Sequence, residues 1–245
     1  MKAMILAAGV GSRLRPLTHE TPKALVDVGG APVIEHVIRR LKSAGVGEIV
    51  VNLFHLGDRV AAFLRSKDNF GLRIELSREV ELLDTGGGLK NVAWFFDDDR
   101  PFFLHNVDVL SEIDLGALFR FHQAHQALAT LAVQCRPSSR LLLFDQEGQL
   151  CGRETGEGVQ WAKAPLPGAE RLAFTGIHVI DPAIFPGMIE TGIFPIMQTY
   201  LRLAGEGEKI IACRVDGKYW QDIGSVEKLE QAREAVAKGR LRARC

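Results

Sequence analysis

Four cysteines in 245 residues, far apart and with no CxxC pair, exclude a disulfide framework and a zinc site of ordinary ligand spacing. Cys135, Cys151, Cys213 and Cys245 read as reduced thiols, which points to a cytoplasmic chain. Charge of one sign is lacking too: 30 Lys+Arg balance 30 Asp+Glu. Nothing global therefore steers the chain toward nucleic acid or an anionic membrane, and any anion site must be local. No apolar run approaches the ~20 residues needed to cross a bilayer. The opening MKAMILAAG places one Lys and about six apolar residues before Gly9, too little for a signal-peptide core. Internal repeats and low-complexity linkers are missing. The seven histidines, His122 and His125 among them, share no metal spacing.

What remains is average globular composition, 47% hydrophobic and 24% charged, enough for a sizeable core. Over the first ~135 residues short β-type runs alternate with helical ones, the pattern of βαβ units and a mainly parallel sheet. Residues 2–7, 48–53 and 73–77 read as strands, and 101–106 as a buried one. Pro32 starts a helix with Val33, Ile34, Val37, Ile38 and Leu41 on one face. Residues 88–96 read as helical, Asp114 as the cap of a helix through His125, and His122 and His125 as part of its surface. Residues 129–179 break into short strands, the mark of an antiparallel extension. Ser225 caps a last helix carrying Val226, Leu229, Ala232 and Val236, and KGRLRARC is a solvated basic end. The expected organisation is one domain, 1–245, with lobes of about 1–128 and 129–224 and a C-terminal helix and tail over 225–245.

The chemistry concentrates in LAAGVGSRLRPLTHETPKAL, residues 6–25. A strand runs into small residues, then Gly9 and Gly11, then Arg13, Arg15 and Lys23. Glycines after a strand let backbone N–H groups approach phosphate oxygens, while Arg adds a planar fork and Lys a point charge. A Walker A loop is absent, and Leu14 stands where a dinucleotide fingerprint needs its third Gly. Asp108 ends a strand at the carboxyl edge where α/β sheets bind ligands. Asp97, Asp98 and Asp99 precede the strand, at its wrong end, and read as a solvated loop.

The 6–25 segment closely resembles the signature of the sugar-1-phosphate nucleotidylyltransferases. The likeness continues through LLDTGGGLKN, HNVDVL, FTGIHVIDPAIF and YWQDIGSVEKLEQA, nearly the whole chain. It is greatest to the short bacterial members, of the N-acetylmuramate-1-phosphate uridylyltransferase and mannose-1-phosphate guanylyltransferase types. The resemblance implies a Rossmann-like α/β fold, the nucleotide-diphospho-sugar transferase fold, with a mainly parallel sheet flanked by helices and a smaller, partly antiparallel sugar-binding lobe. It implies attack of a sugar 1-phosphate on the α-phosphorus of a nucleoside triphosphate, yielding a nucleotide sugar and pyrophosphate, with UTP ahead of GTP as donor.

By the same resemblance Arg13 and Lys23 are catalytic. Ala8, Gly9, Gly11, Thr85, Gly86 and Gly87 bind the nucleotide; Asn106, Lys163, Thr175 and Gly176 bind the sugar, the last two from a cradling loop. Asp108 and Asp222 hold Mg²⁺ from two lobes meeting across a cleft. One departure stands out: Val107 occupies the centre of the family's Asn-Gly-Asp, where Gly alone is free to take positive φ. Two alternatives follow, a non-catalytic nucleotide or nucleotide-sugar binding module, and a glycosyltransferase using Asn-Val-Asp in place of Asp-x-Asp. The expected partners are the nucleotide and the sugar phosphate, with no nucleic acid and no membrane; oligomeric state is not legible.

Overall fold

The computed structural model describes residues 1–241, so Cys245 and the second half of the basic tail, from 242, lie outside the described residues. The chain divides into two compact units, one comprising 1–82, 105–115 and 218–245, the other 83–104 and 116–217. Neither follows the boundaries expected near 128 and 224. The reason is in the chain path: the segment expected to close the second lobe returns at Lys218 to pair within the first unit.

In the first unit Lys2–Leu6, Glu48–Leu53 and Arg73–Arg78 form a parallel sheet, Leu6 opposite Asn52 and Asn52 opposite Ser77. Near-continuous apolar runs are what a sheet covered on both faces requires. The crossover helix Val33–Ser43 buries Val33, Ile34, Val37, Ile38 and Leu41 as the pattern predicts. It ends because Gly45 takes φ +90°. There Gly45 N–H reaches the Lys42 carbonyl and Val46 N–H the Leu41 carbonyl, the paired bonds that close a helix through a left-handed residue.

Two short ribbons complete this unit, Asp27–Val28 with Ala31–Pro32 and Val109–Ser111 with Trp220–Asp222. The second is antiparallel and sets Asp222 opposite Val109. The last helix, Val226–Ala237, starts at Ser225, whose side chain accepts from Lys228 N–H. Leu229, Ala232 and Ala235 are its buried face, whereas Val226 is 51% exposed. Val226 sits at the first helical position, ahead of the turn where the apolar stripe meets the core.

The second unit is mixed. Glu170–Ile180 pairs antiparallel with Ala129–Gln134 and with Leu141–Phe144, which continues through Leu150–Thr155 and Gly158–Trp161. The strands of the 129–179 stretch thus pair with one another antiparallel, as expected, and Ile210–Arg214, beyond that stretch, adds to Ala129–Gln134 in parallel. The helix expected over 88–96 is instead Asp84–Asn91 followed by a 3₁₀ turn at Ala93–Phe95. Three successive glycines suggest a flexible turn, yet Gly86, Gly87 and Gly88 are buried helical residues.

Helix Leu115–His125 follows Asp114 as expected, but His122 is only 1% exposed and its Nδ1 lies 2.9 Å from Thr130 Oγ1. The expectation of a surface His122 is corrected: helix and strand Ala129–Gln134 enclose it. Burial lowers its pKa to about 4, with Asp181 opposing the shift. An unfolded His titrates near 6.5, so between ~6.5 and ~4 the unfolded chain binds more protons. This His therefore stabilises fully above ~6.5, and its contribution is lost as pH falls toward 4. His122 should account for roughly 2–3 kcal/mol of the stability lost over that window, so urea melts are expected to show a correspondingly shallower drop in His122→Phe; an equal slope in the variant would refute the assignment.

Candidate active site

The first strand ends at Leu6, and the chain is immediately gripped. Buried Asn52 accepts from Ala7 N–H through Oδ1 at 2.7 Å and donates through Nδ2 to Glu79 Oε1 at 2.7 Å. That polar latch sets the start of the glycine loop. Gly11 lies at φ +64°, and its carbonyl accepts from Thr18 Oγ1 at 2.8 Å and from Leu14 N–H at 2.9 Å. A side chain at Gly11 would press on Thr18 and on the Lys23 stem, 3.0 and 3.2 Å away, so glycine brings loop and lysine together. Around Gly9 there is open space. Ala8, just ahead of both glycines, is buried, and Arg13 and Arg15 are exposed.

Lys23 forms an ion pair with Asp108 Oδ2, with 13% and 20% of the two side chains exposed. Asp222 accepts from Lys228 Nζ at 2.5 Å on one oxygen and from Gly224 N–H at 2.8 Å on the other. The two aspartates are adjacent in backbone terms, since Ile223 N–H donates to the Asp108 carbonyl at 3.0 Å. Both belong to the first unit. This corrects the expectation that they face each other from two lobes: the Trp220–Asp222 strand comes home to pair beside Asp108, so a separation of 114 positions closes at one ribbon. Arg13 joins them at Gly224, where a Cβ would stand 2.6 Å from Asp222 Oδ1 and 3.0 Å from Arg13 Nη2. One guanidinium, two ammonium groups and two carboxylates thus gather at the carboxyl edge of the parallel sheet, where α/β folds take ligands.

Sequence reasoning missed Lys228, Gly224, Asn52 and Glu79. The first two sit inside the YWQDIGSVEK stretch, and no spacing rule marks them. Val107 is buried, bonds through N–H to the Leu6 carbonyl at 3.1 Å, and does not adopt positive φ. The turn here needs no glycine, so valine fits without strain and its branch is packed inward. Asn106 is half-buried, its carbonyl 2.8 Å from the His105 ring. His105 is itself held neutral, with burial lowering its pKa to about 4.

The remaining expected residues lie in the second unit. Gly86 and Gly87 N–H groups donate to the Phe194 carbonyl at 2.9 and 3.2 Å, and Thr85 Oγ1 accepts from Ile196 N–H at 2.9 Å. A Cβ on Gly86 would overlap the Phe194 ring, which gives these glycines a packing reason of their own. Thr175 and Gly176 are not in a loop: they fall inside the long strand Glu170–Ile180, where its register against Ala129–Gln134 shifts. Thr175 is buried with its hydroxyl on the Ala132 carbonyl at 2.8 Å, and Gly176 has φ +80°. Lys163 lines a cavity of about 330 Å³ with Asp145, Cys151, Leu166 and Glu208. Asp97, Asp98 and Asp99 are exposed, as expected.

Among the described residues no group of three or more His, Cys, Asp and Glu could hold a metal ion. Two carboxylates on adjoining backbone do suit Mg²⁺, which takes one or two protein carboxylates and leaves other positions to phosphate and water. The donor set, two carboxylates with no Cys or His beside them among the described residues, fits that hard cation. No helix among the described residues is long and apolar enough to cross a membrane.

The chain belongs to the nucleotidyl transferase family, whose sequence pattern matches residues 2–141. It is 33% identical over 235 residues to the probable mannose-1-phosphate guanylyltransferase 2 of Oryza sativa subsp. japonica, covering 91% of this chain and 61% of that protein. It is 30% identical over 233 residues to mannose-1-phosphate guanyltransferase beta-B of Xenopus laevis, with the same coverage. The chain thus spans about three-fifths of the length of these relatives. In fold it is similar to a putative glucose-1-phosphate thymidylyltransferase from Bacillus anthracis, with TM-score 0.80 and 23% identity over 96% of this chain and 94% of that one. A UDP-glucose pyrophosphorylase gives TM-score 0.79 at 20% identity over 98% and 99%. These two likenesses establish the α/β architecture.

Gly224→Ala tests the cluster directly, because the added methyl must displace the Arg13 guanidinium or the Asp222 carboxylate. Affinity for inorganic pyrophosphate, measured by calorimetry, is expected to fall roughly 10-fold, the worth of one charge-assisted hydrogen bond. Wild-type affinity in that variant would separate Arg13 from the anion site.

Proposed function

We propose that this chain catalyses Mg²⁺-dependent transfer of a nucleotidyl group from a nucleoside triphosphate to a sugar 1-phosphate. A phosphate oxygen of the sugar 1-phosphate attacks the α-phosphorus in line, the bond from that phosphorus to the bridging oxygen breaks, and pyrophosphate leaves. The single observation that carries this reading is the Lys23–Asp108 pair beside Arg13 and Asp222 in one unit. A phosphate monoester has its second pKa near ~6, so the nucleophile is already anionic and no general base is needed. The remaining barrier is repulsion between two anions, which positioning and charge neutralisation lower.

Each residue then has a task. Backbone N–H groups at Ala8, Gly9 and Gly11 face the polyphosphate, Arg13 grips it with a fork, and Lys23 follows the charge that develops on the reacting phosphate. Asp108 and Asp222 would hold Mg²⁺, which when bound supplies charge neutralisation at phosphate oxygens. Thr85, Gly86 and Gly87 are assigned to the base, and Asn106, Lys163, Thr175 and Gly176 to the sugar. At Thr175 the assignment rests on the backbone of the Thr175–Gly176 bulge, since the hydroxyl already has a partner.

The relatives' names support GTP with mannose 1-phosphate, while the likeness to short bacterial members supports UTP with an amino-sugar or muramyl 1-phosphate. Pyrophosphate release across four triphosphates and the muramyl, mannosyl, glucosyl and N-acetylglucosaminyl 1-phosphates decides between them. A chain releasing pyrophosphate with none, or moving sugar to an acceptor instead, would overturn the proposal. Lys23→Ala is expected to lower turnover on the best pair by roughly 10² to 10³; wild-type turnover would remove Lys23 from the chemistry.

A further inference from the structure

Lys228 is a cation in the wrong place for its helix. It occupies the third position after the Ser225 cap, at the end where the backbone dipole already presents partial positive charge and favours Asp or Glu. A glutamate or glutamine there would also reach back to the cap. What compensates is Asp222, whose Oδ2 lies 2.5 Å from Lys228 Nζ. The lysine side chain is 43% exposed and the aspartate 17%, so the ammonium can swing into water at little desolvation cost.

We infer that Lys228 is a resident counterion of Asp222 that a divalent cation must displace, making cation binding at this site depend on the arrival of nucleotide. The inference rests on the metal reading of Asp108 and Asp222 proposed above. Without ligand each carboxylate already has its own ammonium, Lys23 on Asp108 and Lys228 on Asp222. A lone dication entering this cluster must break two ion pairs and meet Arg13, which leaves surplus positive charge. A dication arriving with a polyphosphate anion does not, because the phosphates take up Lys23 and Arg13 as the carboxylates turn to the metal. Lys228 has no phosphate to move to within this scheme and returns to solvent. It is a positioning residue acting through Asp222.

The test is a Mn²⁺ titration of the full chain, followed by electron paramagnetic resonance, first without nucleotide and then with saturating triphosphate. Lys228→Met and Lys228→Gln are expected to tighten nucleotide-free Mn²⁺ binding roughly 3- to 10-fold, the scale set by losing one half-exposed ion pair and one like charge near a dication. With nucleotide present a similar gain should remain, since Lys228 leaves Asp222 in either case, while Mn²⁺ binding should tighten in the wild type and both variants alike as the phosphates take up Lys23 and Arg13. Initial slopes decide even where the wild type does not saturate. Binding in both variants equal to or weaker than wild type without nucleotide would overturn the inference. Asp222→Asn separates the two levels: if it weakens Mn²⁺ binding while the Lys228 variants change nothing, the metal reading stands and the role of Lys228 falls. If it changes nothing, both fall.

Discussion

Opposite charge held at short range is the constraint on which this site depends. Two aspartates at the carboxyl edge of a parallel sheet would repel each other and any anionic substrate if left bare. Each instead carries an ammonium, and Arg13 stands at the Gly224 turn beside Asp222. The cluster is thereby nearly self-neutral without ligand, yet made of groups whose best partners are phosphate oxygens and a hard cation. Exchange of partners, rather than creation of charge, is what such an arrangement does well.

The fold serves that constraint through backbone bonds more than through side chains. Asn52 fixes Ala7 and so the start of the glycine loop; Thr18 and Leu14 close on the Gly11 carbonyl; Ile223 ties Asp222 to Asp108. The donors Ala7, Thr18, Leu14 and Ile223 are all uncharged, and each bond holds a segment that carries or adjoins a charged group of the site. Buried and satisfied, such networks rigidify a site without competing for the ligand.

Glycine plays two different parts here. At Gly11 the missing side chain makes room for Thr18 and the Lys23 stem, and at Gly224 for the Asp222 carboxylate and the Arg13 guanidinium. At Gly86 and Gly87 it lets the Asp84–Asn91 helix sit against Phe194 and Gly192. Both read identically in a sequence, as a run permitting close approach, but the neighbour that approaches differs. The pattern names the permission and leaves the partner open.

The α/β architecture, the strands found at Glu48–Leu53 and Phe102–Asn106, the helix after Pro32 and the Ser225 cap were legible because hydrophobic period and capping chemistry are local. Arg13, Lys23, Asp108 and Asp222, singled out together by the order of the motifs, are brought together in one unit. Only tertiary structure decided that Asp222 joins Asp108 on one ribbon, that His122 is enclosed, that Val107 needs no positive φ, and that Lys228 answers Asp222. Asp222 and Val107 depend on backbone more than a hundred residues away, at Asp108 and Leu6, and such contacts leave no periodic trace; His122 and Lys228 meet partners only eight and six residues off, but across a turn, where hydrophobic period does not say which polar side chain answers.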